Sequence, residues 1–236
     1  MALKDMLRHP QVYQGFQFVG GFFGARVRSI RAYLSIKPTD QIIDLGCGPG
    51  FILDHLPTGI KYDGFDIDER YIKYAQGRFG RRGSFHCRLF DEQCAAEFGP
   101  ADVVMMNGLL HHLDDDDALT TLRVVRGVLR PGGLVFTLDG CYRDGQSRVA
   151  SWLLRNDRGR FVRSEYGYRR LLGAAFDNVR THLREDLSFV SYSFLIGIAS
   201  TRGTLRTRVH ERPGEDTMSP AAKVELFHSI QGGGVQ

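Results

Sequence analysis

The residues best placed to do chemistry are an acid and three alternating glycines. They stand in the run Ile42-Ile43-Asp44-Leu45-Gly46-Cys47-Gly48-Pro49-Gly50. Glycine accepts positive φ and lets a ligand lie against the main chain. A helix read from Phe51 would turn free N–H groups back onto whatever the loop holds. The spacing is not the G-x-G-x-x-G of a dinucleotide site, because position 51 is Phe. A carboxylate two residues before Gly46 would repel a pyrophosphate and suits a cationic or amino-bearing ligand. Asp66 lies 22 residues beyond Asp44 and closes the next apolar run, where an acid can accept hydrogen bonds from ribose hydroxyls. Asp63 and Asp68 compete for that role, but Asp66 follows Phe65 at the strand end.

His111-His112 forms the next constellation, just past an apolar run that reads as the fourth strand. Ligands of open α/β sheets bind at that carboxyl edge, and an imidazole there can take a proton from a hydroxyl or amine. His111 and Tyr13 are the candidate catalytic residues, with plain packing the alternative for each. Asp114–Asp117 reads as a solvated helix start, and no metal site is expected there.

The elements that must position these groups follow from periodicity. Val27, Ile30 and Leu34 mark a helix over 25–36 that Pro38 ends. Strands are expected at 40–45, 62–66, 84–89, 102–106 and 134–138. Helices are expected at 51–56, 69–77 and 114–129, the last stopped by Pro131-Gly132-Gly133. Alternation at this spacing implies right-handed βαβ units and a mostly parallel sheet. Beyond 140 the reading is a helix at 146–155, another at 164–175, and strands at 178–186 and 189–199. Residues 1–24 are aromatic and glycine-rich and read as a lid, and residues 201–236 as a flexible tail.

Composition narrows the class. A net charge of +4 over 236 residues is too mild to imply nucleic acid. No apolar run reaches the ~18 residues of a spanning helix. The four cysteines lack C-x-x-C spacing, so reduced thiols in a cytoplasmic protein are expected, without zinc.

On these residues the chain resembles class I S-adenosylmethionine-dependent methyltransferases. Ile43–Gly50 is similar to their first motif and Gly64-Phe65-Asp66-Ile67-Asp68 to their second. Asp102–Leu113 and Leu129-Arg130-Pro131-Gly132-Gly133 resemble the fourth-strand segment and the loop before strand five. The resemblance covers about residues 40–139, and the N-terminus and Asp157–Arg163 resemble a bacterial small-molecule subgroup. It implies a Rossmann-like fold with a mostly parallel seven-stranded sheet and helices on both faces. The domain would span 25–200, with a substrate-recognition insert at about 140–176.

The resemblance also implies that S-adenosylmethionine is the cofactor and S-adenosylhomocysteine the product. Gly46, Gly48 and Gly50 would touch the methionine part, and Asp44 would sit near its amino group. Asp66 would hold the ribose diol, Ile67 would pack on the adenine, and Asn107 and Gly108 would face the methionine end. Cys47 and Phe51 join that cofactor-binding set. The family often places an acid after strand three to meet the adenine amino group. Here the segment reads Cys87-Arg88-Leu89-Phe90-Asp91, so Asp91 or a backbone carbonyl takes that place. A histidine at position 112 is common in the family, so His112 reads as structural and His111 as the one facing the acceptor.

Residues 143–184 hold ten arginines and four acids, a segment that could bind an anionic substrate or be salt-bridged surface. Enzymes acting on base amino groups typically carry Asn or Asp followed by Pro-Pro-aromatic, where this chain has Asn107-Gly108-Leu109-Leu110. The expected function is methylation of a small molecule, at oxygen rather than nitrogen. The alternatives are a nucleic-acid methyltransferase and a cofactor-binding protein with another activity.

Overall fold

A computed structural model describes residues 21–156 and 159–201. Tyr13, most of the expected lid and nearly all of the expected tail lie outside these residues. The described chain runs α1 Phe22–Tyr33, β1 Gln41–Leu45, a 3-10 turn Phe51–His55, β2 Lys61–Asp66, α2 Glu69–Phe79 and β3 Ser84–Cys87. It continues through α3 Glu92–Phe98, β4 Ala101–Asn107, a 3-10 turn Leu110–His112, α4 Asp115–Val128 and β5 Leu129–Tyr142. The remaining elements are α5 Arg148–Arg155, β6 Arg163–Ser164, α6 Glu165–Ala175, β7 Asn178–Arg184 and β8 Phe194–Ser200.

The sheet order is β3-β2-β1-β4-β5-β8-β7, with two-residue β6 pairing β5. Strands β1 to β5 pair in parallel, and β8 enters antiparallel to both β5 and β7. Order therefore reverses between β1 and β4, which puts the carboxyl ends of β1, β2 and β4 around one crevice.

Alternation along the strands divides the core. Ile42 and Met105 pack with α1, the first 3-10 turn and α2, whereas Ile43, Leu45, Val104 and Met106 pack with α3, α4 and α6. All five residues of β1 are buried, so its run of apolar side chains serves both layers. Among the described residues no helix is long and apolar enough to cross a membrane.

Several boundaries differ from the sequence reading for identifiable reasons. Helix α1 starts at Phe22, so Phe23, assigned to the lid, is a core residue packed edge-on to Phe51. The element after the loop is a five-residue 3-10 turn, not an α-helix. Strand β5 begins at Leu129 and accommodates Pro131-Gly132-Gly133 through an irregularity opposite Ala101 and Val103. Helix α3 went unread, because seven residues with a single buried side chain, Cys94, carry little periodicity.

Candidate active site

The crevice is lined first by the loop after β1. Gly46, Gly48 and Gly50 have φ of 70°, 55° and 75°, values that favour glycine. Their surroundings differ. A Cβ on Gly48 would meet nothing within 4 Å, so this glycine opens onto space. A Cβ on Gly50 would lie 2.9 Å from the Phe85 ring, so this one is required by packing.

The amides of the loop itself are committed to acceptors within the protein. Gly46 and Cys47 both donate to the Phe65 carbonyl, Gly50 donates to the Cys47 carbonyl, and Gly48 donates to Asp66 Oδ2. The Cys47 side chain is buried, with its sulfur seated where Gly64 lacks a side chain. Phe51 packs edge-on to Phe23, Tyr74 and Phe79. The Cys47 thiol and the Phe51 ring are both core, so a cofactor would meet these two residues through the main chain.

Asp44, the residue before the last of β1, is almost fully buried. Its Oδ2 accepts a 2.7 Å hydrogen bond from the Tyr62 hydroxyl, while Oδ1 is buried with no hydrogen bond of good geometry among the described residues. Burial pushes the Asp44 carboxyl up to about 6, against the opposing pull of the Tyr62 hydroxyl and of Arg26. Asn107, at the end of β4, is buried, and its amide favours the charged form of Asp44 while neither amide atom makes a hydrogen bond of good geometry among the described residues. Arg26 of α1 donates to the Asn107 carbonyl at 3.4 Å. Two buried groups with open hydrogen-bonding capacity at adjacent strand ends are the signature of a polar ligand site.

Asp66 accepts from the Gly48 and Asp68 amides, one on each oxygen, both at 2.9 Å. It thereby ties the glycine loop to the end of β2, and each oxygen keeps a further lone pair. Burial raises its carboxyl above the usual range. The rivals are spoken for. Asp63 pairs with His86 at 3.2 Å, and Asp68 caps α2 and binds Arg70. Ile67 and Leu89, just past β2 and β3, are each 72% exposed. Asp91 caps α3, with Oδ1 accepting from the Cys94 amide.

A second group lies past β4. His111 is buried, and its Nδ1 lies 2.7 Å from Asp139 Oδ1, which also accepts the His111 amide at 3.2 Å. Asp139 sits near the end of β5, 2% exposed. An oxygen already accepting an amide proton accepts the ring proton too, so in the neutral ring the Asp139 contact favours the tautomer with the hydrogen on Nδ1. A Cβ on Gly108 would lie 3.5 Å from His111 Cε1, which joins the histidine to the Asn107-Gly108 edge of the crevice. Tyr142 is half-buried against the core and Tyr166 is 76% exposed on α6.

The sequence reading missed Arg26, Tyr62 and Asp139. Asp139 carried a signal: an acid closing the apolar run Leu134–Leu138, as Asp44 closes its own. Arg26 and Tyr62 carried none, because each acts from an element whose neighbours only packing decides. Of the arginines in 143–184, Arg143, Arg163, Arg170 and Arg184 pair with Glu185, Asp115, Asp115 and Asp186.

The strand order, the glycine loop after β1 and the acid after β2 together define the class I, Rossmann-like methyltransferase fold. Residues 43–135 match the family model described as a methyltransferase domain. The matched stretch runs from β1 into β5, and the fold around it is that of class I methyltransferases. Its fold is similar to mitomycin 7-O-methyltransferase, with 20% identity and a TM-score of 0.61 over 83% of this chain and 60% of that one. It is also similar to human N-acetylserotonin methyltransferase solved with S-adenosylmethionine, with 19% identity and a TM-score of 0.59 over 86% of this chain and 57% of that one. A Methanosarcina mazei S-adenosylmethionine-dependent methyltransferase matches at 16% identity and a TM-score of 0.51, over 70% of this chain and 94% of its own. The chain spans about three fifths of the length of the first two. A sequence search of curated proteins finds no match.

Proposed function

We propose that this protein is an S-adenosylmethionine-dependent methyltransferase that methylates a hydroxyl group on a small-molecule acceptor. The observation that carries the reading is the buried His111–Asp139 pair beside the Asn107-Gly108 edge of the crevice. An amine acceptor can lose its proton after transfer, whereas a hydroxyl gains from a base that takes its proton as the bond forms. Names of two similar structures point to small-molecule acceptors, in keeping with this reading.

The crevice fits the cofactor on its own chemistry. The buried Asp44 carboxyl and the Asn107 amide, both with hydrogen-bonding capacity left over among the described residues, suit an α-amino acid end. Gly48 leaves room for a ligand against the backbone, Asp66 keeps lone pairs for a diol, and the exposed Ile67 and Leu89 offer an apolar clamp for a planar base. When bound, the sulfonium supplies an electrophilic methyl group. The protein's part is to hold the acceptor oxygen in line and to receive its proton. Asp139 fixes the His111 tautomer, Nε2 takes the proton, and the Asp139 carboxylate stabilises the imidazolium that results. Ion pairing of Arg143, Arg163, Arg170 and Arg184 with acids weighs against a nucleic-acid acceptor.

Calorimetry with S-adenosylhomocysteine tests the cofactor, and methyl-labelled S-adenosylmethionine with a panel of phenols tests transfer. Wild type should bind, Asp66→Ala should bind more weakly, and His111→Gln should bind normally but transfer poorly. Absence of binding by wild type overturns the cofactor. Undiminished transfer by His111→Gln overturns the base.

A further inference from the structure

Asp139 is only half of what holds His111. On its other side the ring meets Gly159: a Cβ there would lie 1.9 Å from His111 Cδ2 and 2.7 Å from the His111 carbonyl oxygen. Two residues on, the Phe161 amide donates to that same carbonyl at 3.0 Å. Arg163 then locks the segment down. Its guanidinium donates to the carbonyls of Leu110 and Leu113, both at 2.8 Å, and pairs with Asp115 at 2.7 Å. Those carbonyls bracket the His111-His112 turn, and Asp115 opens α4 immediately after it. The Arg163 side chain is only 10% exposed and lies over the Tyr168 ring. Arg163 also begins β6, which pairs with Cys141 and Tyr142, two residues beyond Asp139 on β5.

We propose that residues 159–163 form a strap that sets the His111 ring, with Gly159 and Arg163 as positioning residues for proton removal. The inference rests on the reading of His111 as the base. Two facts decide it. Gly159 lies against Cδ2 of the ring, while Gly108 lies near Cε1. A side chain at 159 cannot be accommodated unless the ring turns or the strap lifts. A planar fork on two carbonyls and one carboxylate is a geometry that lysine cannot reproduce, which gives Arg163 a role beyond its charge. Solvation does not account for it, because an arginine kept for solubility would not be buried against backbone oxygens.

The strap acts through orientation, so its loss should separate chemistry from cofactor binding. Misplacing a reacting group by about 1 Å can cost ~100-fold in rate. Gly159→Ala and Arg163→Lys should each bind S-adenosylhomocysteine within about twofold of wild type. They should lower kcat for labelled-methyl transfer to phenols by ~10-fold to ~100-fold, with KM little changed. A second readout needs no acceptor. In protein labelled with 15N-histidine, the Nδ1 proton shared with Asp139 should give a distinct low-field resonance in wild type. That resonance should shift or vanish in Gly159→Ala and persist in Asp66→Ala. Normal S-adenosylhomocysteine binding shows that each variant is folded. If His111→Gln loses transfer while Gly159→Ala and Arg163→Lys keep wild-type kcat and an unchanged ring resonance, the strap is only structural and the inference fails alone. If His111→Gln transfers normally, the reading of the base fails first.

Discussion

Asp44 provides the most direct link from burial to a measurable quantity. Its carboxyl is pushed to about 6 because burial at the end of β1 outweighs the pull of the Tyr62 hydroxyl, Arg26 and the Asn107 amide. In the unfolded chain an aspartate titrates near ~3.9. Between these values the native state binds more protons than the unfolded state, so stability falls as pH rises through that window. Titration at about 6 folded and ~3.9 unfolded makes the cofactor-free protein ~1.4 kcal/mol more stable at pH 5 than at pH 8 through this group alone. The full cost of the ionised form is ~3 kcal/mol.

Asp44→Asn removes the titration and keeps a carbonyl for the Tyr62 hydroxyl. Urea denaturation of wild type and variant at pH 5 and pH 8 gives the difference in slope, in which the contributions of other titrating groups cancel. The expected difference is ~1.4 kcal/mol, with wild type the more sensitive to pH. Equal pH dependence within ~0.3 kcal/mol would refute the reasoning that burial, uncompensated by Tyr62 and Arg26, dominates at this position. Binding provides the complementary sign. If the carboxylate meets an ammonium group, S-adenosylhomocysteine affinity should decline in wild type as pH drops below ~6 and lose that dependence in the variant.

The second and third loop glycines should respond in opposite ways. Gly48→Ala should cost ~1–2 kcal/mol of stability for its positive φ and abolish S-adenosylhomocysteine binding by filling open space. Gly50→Ala should cost more stability, through its collision with Phe85, and leave the binding of the folded fraction intact by calorimetry. Asp139→Asn should lower kcat by ~100-fold or more with cofactor affinity unchanged, since it disturbs the tautomer and charge balance of His111. Ile67→Ser and Leu89→Ser, at highly exposed positions, should each change stability by less than ~0.5 kcal/mol in urea titrations and weaken S-adenosylhomocysteine several-fold.

Local chemistry was legible along the chain wherever a short stretch carried its own reason. The buried run before Asp44, the glycines after it, Asp66 at a strand end and the acids opening α4 are each set by burial, backbone freedom or helix capping within a few residues. Those features were enough to expect the parallel part of the sheet and a nucleoside-type cofactor. Three kinds of fact needed the folded chain. Whether a glycine faces ligand or core depends on what lies across from it, and only packing put Phe85 against Gly50 and open space beside Gly48. Whether a loop amide is free depends on distant acceptors, and the Phe65 carbonyl and Asp66 claim most of them here. Whether a histidine can serve as a base depends on its partners. Asp139 lies 28 residues from His111, and Gly159 and Arg163 lie farther still along the chain. Sequence determined the groups that could react. Tertiary structure decided which of them are buried, paired and aimed, because desolvation and hydrogen bonding are settled between elements and not within them.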